Sequence, residues 1–172
     1  MELRELEFRT LQGTLIPDVI SYLNEKIIDD TEVLVGCDSQ NTGHSTIYGL
    51  VIALHYGNRG GHIIYSKLEF PKIRDRFSKL WKEVELSVGL AESMKENKIK
   101  RIDYLDLDLN PDPIYNSNKV LASAMGWCQA LGYNVRCKPD AMVASYVADR
   151  ICRKVKYKWR GKKYNKKEKS LV

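Results

Sequence analysis

The stretch Glu32-Val33-Leu34-Val35-Gly36-Cys37-Asp38-Ser39-Gln40 decides the fold. Val33 to Gly36 form a short apolar run with no polar alternation, the pattern of a strand buried on both faces. The run stops at Asp38, and Ser39, Gln40, Asn41, Thr42 and Gly43 read as the turn that follows. An acid at the end of a central strand stands at the rim of a sheet, where ligands and metal ions have access. An Asp there also opens turns through its own backbone hydrogen bonds, so the rest of the chain has to decide between the two roles.

Upstream of the strand, Leu15, Val19, Ile20, Tyr22, Leu23, Ile27 and Ile28 recur at helical spacing. They predict a helix over about 16–28, with Pro17 in its first turn and Asp29 and Asp30 closing it. Residues 1–13 are poorly periodic. Downstream, residues 45–56 and 63–68 are rich in strand formers and flank Gly57-Asn58-Arg59-Gly60-Gly61, which predicts an antiparallel hairpin. Past Pro71 a long helix is expected over about 74–97, its apolar face being Phe77, Leu80, Trp81, Val84, Val88 and Ala91. A strand over 98–110, a helix over 116–131 ended by Gly132, a short strand over 133–137 and a last helix through Val147 follow. The expected architecture is α/β: a mixed five-stranded sheet, three antiparallel strands then parallel ones, with helices on both faces.

Composition narrows the partner. From Arg153 to Lys169 there are ten Lys or Arg and one Glu, while the rest of the chain carries 18 basic and 21 acidic residues. A mildly acidic body of residues 1–152 with a cationic tail over 153–172 points to a polyanion. The tail interleaves its charges with aromatic rings. Lys154, Lys156, Tyr157, Lys158, Trp159, Arg160, Lys162 and Lys163 suit phosphate contact with base stacking, so nucleic acid is the expected partner. A tail that only keeps the protein solvated has the same composition. Cys37, Cys128, Cys137 and Cys152 are scattered singly, with no zinc-type spacing. With no signal peptide and no apolar run long enough to span a membrane, a soluble, cytoplasmic protein is expected.

Several carboxylates fall where this topology would gather them. Asp38 ends the first long strand, and Asp106 and Asp108, two apart near the end of the fourth, share a face. Glu85 lies about 80° from Phe77 on the long helix, at the edge of its apolar face, whereas Glu83 points away and reads as a solvated acid. Asp140 follows the last strand at a helix N-terminus. Acids without a thiol or histidine cluster make an oxygen-only site, which suits Mg²⁺ or Mn²⁺. Two such ions serve phosphodiester hydrolysis.

Strand order and acid placement together resemble the ribonuclease H superfamily. More closely, the chain resembles the YkuK-type family of ribonuclease H-like proteins over nearly its whole length. That likeness is carried by Val35-Gly36-Cys37-Asp38-Ser39-Gln40, Leu80-Trp81-Lys82-Glu83-Val84-Glu85-Leu86-Ser87 and Asp106-Leu107-Asp108-Leu109-Asn110-Pro111. It continues in Ser117-Asn118-Lys119, Lys138-Pro139-Asp140, Ala144-Ser145 and Ala148-Asp149-Arg150. The last blocks are similar to the Lys-x-Asp…Ala-Ser…Arg pattern of type 2 ribonucleases H, in which the Asp is a metal ligand. Two departures stand out: Asp106 replaces a His expected in the family, and Ser39 follows Asp38 where type 2 enzymes carry an Asp-Glu pair.

The resemblance implies a ribonuclease H-like domain hydrolysing RNA or DNA by a two-metal mechanism. Asp38 would bridge the metals, Glu85, Asp108 and Asp140 would complete the cage, and Asp149 or Asp106 would be outer ligands. The fold also hosts non-catalytic domains, so a nucleic-acid- or protein-binding module is the alternative.

Overall fold

Strand β3 (Glu32–Thr42) is the spine of the molecule. It pairs antiparallel along its whole length with β4 (Ser45–His55), from Glu32 opposite His55 to Thr42 opposite Ser45, around the two-residue turn Gly43-His44. Strand β4 then pairs antiparallel with β5 (Gly61–Pro71). On its other edge β3 pairs parallel with β6 (Tyr104–Leu107), which pairs parallel with β7 (Val135–Arg136). The expected five-stranded core is therefore present, three antiparallel strands followed by two parallel ones.

Two strands were not expected. Strands β1 (Phe8–Thr10) and β2 (Leu15–Ile16) add to the free edge of β5 and extend the order to β2-β1-β5-β4-β3-β6-β7. Strands of two or three residues show no period, so residues 1–13 carry no legible signal. Strand β3 also runs past Asp38, where a turn was expected. Its polar end is held by cross-strand bonds: Thr46 donates to Asn41 Oδ1 at 2.6 Å, and Thr42 Oγ1 lies 3.0 Å from Ser45 Oγ. Asp38 consequently sits inside the ladder, opposite Gly49.

The helices are shorter than their periodicity suggests because caps set their ends. Helix α1 (Val19–Lys26) starts after Asp18, whose carboxylate accepts the backbone N–H groups of Ile20 and Ser21 at 3.1 Å. Helix α2 (Arg76–Glu96) starts after Asp75, which accepts the Ser78 N–H at 2.7 Å. Helix α3 (Asn118–Ala130) ends where Gly132 takes φ +85, a left-handed turn that costs a residue without Cβ little.

The computed structural model describes residues 1–115, 117–141 and Ile151. Helices α1, α2 and α3 contribute to one core on one face of the sheet, where Leu23, Leu90, Met94, Val120 and Cys128 join Val33, Val35, Cys37, Leu50, Ile52, Leu105 and Leu107. The opposite face carries Leu34, Val51 and Ala53, with Ile151, a helical residue, packed on them. Neighbouring residues of β3 thus enter different cores, which is why its apolar run does not alternate.

Leu50→Ala, which empties space in the larger core, should cost about 2–5 kcal/mol in urea unfolding. Leu15→Ala, half-exposed on the edge strand, should stay within about 0.5 kcal/mol of wild type.

Candidate active site

The residue that organises the site is Glu83, which is only 5% exposed. The expectation that it points to solvent is overturned, and the reason lies in the helical wheel. Phe77, expected on the apolar face of α2, is half-exposed. The buried stripe runs through Ser87, Leu90 and Met94, and Glu83 lies about 40° from Ser87 at 100° per residue. Glu85 lies about 160° away on the same wheel. Its side chain is 39% exposed and pairs with Lys82 at 2.7 Å, and from this edge of the core its charge reaches the buried Tyr48. Centring the wheel on Leu86, Leu90 and Met94 would have found Glu83 from sequence.

Above Glu83 lies the end of β3. Ser39 Oγ donates to Glu83 Oε1. Tyr48, opposite Ser39 on β4 and fully buried, donates its hydroxyl to the Lys79 carbonyl at 3.3 Å. Burial pushes the Glu83 carboxyl up to about 8, and the negative charges of Asp38 and Asp108 push the same way. The Ser39 hydrogen bond and the Lys79 charge oppose that rise. A buried acid with two other acids in its field is the arrangement that a cation relieves.

Asp108 lies just past the end of β6, 20% exposed, and meets the Lys138 ammonium at 2.7 Å. Lys138 and Ser39 are site residues that the sequence did not single out for a role. Asp106 does not share the surroundings of Asp108. It is fully buried in β6, 3.6 Å from Arg136 Nε, while Arg136 Nη2 lies 3.1 Å from Glu32 and the guanidinium stacks 3.8 Å from the Tyr104 ring centroid. Those contacts give Asp106 a charge-balancing place inside the sheet. Asp140 is exposed, and its backbone N–H closes a turn on the Cys137 carbonyl at 2.9 Å. Asp149 and the tail residues Lys154, Lys156, Tyr157, Lys158, Trp159, Arg160, Lys162 and Lys163 lie outside the described residues.

Among the described residues no three His, Cys, Asp or Glu side chains converge closely enough to hold a metal ion. Asp38, Glu83 and Asp108 act on one another through their charges, and their all-oxygen donor chemistry fits Mg²⁺ or Mn²⁺. Cys37, Cys128 and Cys137 are free thiols. Burial pushes Cys128 and Cys137 up to about 11, so neither is a ready nucleophile or metal ligand at neutral pH.

The raised Glu83 carboxyl makes stability depend on pH. In the unfolded chain it ionises near 4.5, in the folded protein near 8, so the folded state holds the extra proton between those values. Its contribution is fully present below about 4.5 and is lost as pH rises through about 8. Relative to Glu83→Gln, metal-free wild type should lose roughly 3–5 kcal/mol of unfolding free energy across that window, read by urea denaturation at a series of pH values.

The profile of the ribonuclease H-like family matches residues 14–153, which include β3 to β7 and every carboxylate discussed above. No curated protein and no solved structure matches the chain. No described helix is long and apolar enough to cross a membrane. With the central strand order, the buried helix glutamate and this match in agreement, the chain belongs to the ribonuclease H-like family.

Proposed function

We propose that the protein is a divalent-metal-dependent nuclease that hydrolyses phosphodiester bonds of RNA or DNA, and that it falls in the YkuK-type branch of its family. One observation carries this reading: Glu83 is buried beneath β3 within the fields of Asp38 and Asp108. Burying an acid among acids is costly and serves no packing purpose that a Gln or Leu would not serve better.

In this reading Asp38, Glu83 and Asp108 hold Mg²⁺ or Mn²⁺, Asp140 joins them, and Asp149 has an outer place. Glu83 takes the role first expected of Glu85, whose carboxylate is engaged with Lys82. When bound, the cations supply charge to the phosphodiester and acidify the attacking water. The chain's own residues do the positioning. Ser39 holds Glu83 by one hydrogen bond, Tyr48 packs beside Ser39, and Lys138 keeps Asp108 in place. The basic tail over 153–172 adds sequence-independent grip on phosphates. Free thiols on Cys37, Cys128 and Cys137 suit a reducing compartment such as the cytoplasm.

A second reading, a binding module that kept the fold and lost turnover, draws on Lys138, whose ammonium already meets Asp108.

Cleavage assays with Mg²⁺ and with Mn²⁺ on single-stranded, duplex and hybrid substrates separate the two. Metal-dependent cleavage is expected, with Asp38→Asn and Glu83→Gln each slowing it about 100- to 1,000-fold, the scale for losing one electrostatic stabiliser. Glu85→Gln should stay close to wild type. No cleavage of any substrate would leave the binding module standing.

Deleting residues 153–172 should weaken nucleic-acid binding and flatten its dependence on log salt by about 0.7–0.9 per lost phosphate contact. An unchanged slope in a salt titration would assign the tail another task.

A further inference from the structure

We propose that residues 72–82, the lead-in to α2 and its first two turns, form a platform for single-stranded nucleic acid, with an unpaired base stacking on Phe77 and the surrounding cations holding the phosphates. The proposal rests on the nucleic-acid reading above and adds to it the strandedness of the substrate.

Phe77 is 50% exposed, although a large apolar ring gains most by burial. It is held in a fixed plane nonetheless. Its ring stacks on Trp81 with centroids 6.3 Å apart and planes within 2°, and Trp81 stacks in turn on Trp127 of α3 at 5.7 Å and 20°. The file of rings links α2 to α3 and leaves its outermost member in water. An aromatic face oriented beforehand loses little conformational freedom when a base lands on it.

The charge around the rings selects the occupant. Lys72, Arg74, Arg76, Lys79 and Lys82 stand among these eleven positions against the single acid Asp75, which caps α2. Five of the 18 basic residues outside the tail are thus concentrated here, on a body whose net charge is negative. Arg74 and Arg76 are exposed and make no ion pair among the described residues. Lys82 is tied to Glu85, and Lys72 donates to the Gly43 carbonyl at 3.1 Å. The Lys79 charge reaches Glu83, so the patch adjoins the carboxylates.

Cations beside exposed rings match a strand that offers phosphates and base faces together. In a duplex the base faces are stacked on one another and closed to Phe77, so only an unpaired strand satisfies both halves of the patch. An acidic peptide would satisfy the cations and leave the ring unused.

Fluorescence anisotropy on the full chain in EDTA, with labelled oligo-U, oligo-dT and a hairpin duplex, tests this without turnover. Wild type should prefer the single strands. Phe77→Ala should weaken single-strand binding by about five- to a hundredfold. It should leave duplex affinity and the salt slope unchanged, and Phe77→Trp should restore the affinity. Arg76→Ala should instead flatten the single-strand salt slope by about 0.7. Circular dichroism confirms that each variant is folded, and Phe77→Leu, which keeps apolar contact but offers no ring, should behave like Phe77→Ala. Wild-type affinity in Phe77→Ala, an equal loss on single strand and duplex, or competition by poly-glutamate that depends on Phe77 would overturn the proposal. Absence of cleavage would overturn the nuclease reading and leave this one standing. Cleavage together with unaltered binding by Phe77→Ala would do the reverse.

Discussion

Strand β3 is paired along both edges and covered on both faces, and the site depends on that confinement. Antiparallel pairing with β4 runs through all eleven of its residues, and β6 lies parallel on the other side. A strand held this way cannot slip by one residue without exchanging its two faces. The alternation that sends Val33, Val35 and Cys37 into the larger core also turns Ser39 toward α2, where it meets Glu83. Asp38, one residue earlier, reaches Glu83 through its charge.

Among the described residues two acids are buried, and their surroundings differ. Asp106 is surrounded by balance: the Arg136 guanidinium lies between it and Glu32 and rests on the Tyr104 ring. Glu83 receives one hydrogen bond from Ser39 and a distant Lys79 charge against burial and two neighbouring acids. Low dielectric amplifies that imbalance. The contrast is one of charge: a guanidinium stands beside Asp106, while two further acids stand in the field of Glu83.

Helix α2 carries both the buried Glu83 and the half-exposed ring of Phe77 because its faces are so unlike. One face brings Glu83, Ser87, Leu90 and Met94 into the core. Another carries Phe77 and Trp81 outward toward α3. A single helix therefore fixes the spacing between Glu83 and the rings of Phe77 and Trp81.

Much of this was determined by the sequence alone. The unalternating run at Val33 to Gly36, the turn at residues 57–61, the glycine after α3 and the helical spacing of apolar residues led to the central five strands and to helices α1, α2 and α3, because each is a local signal with a local cause. Asp108 was legible for the same reason, as an acid just past a strand end, whereas Asp38, read as a strand end, lies within β3. Three matters needed the tertiary structure. The short strands β1 and β2 exist only because β5 offers them an edge. The end of β3 beyond Asp38 is a strand only because β4 pairs with it, overriding the turn preference of Ser39 to Gly43. The burial of Glu83 came from the packing of α2, whose buried stripe is centred on Leu86, Leu90 and Met94 and not on Phe77, a ring left half-exposed against Trp81.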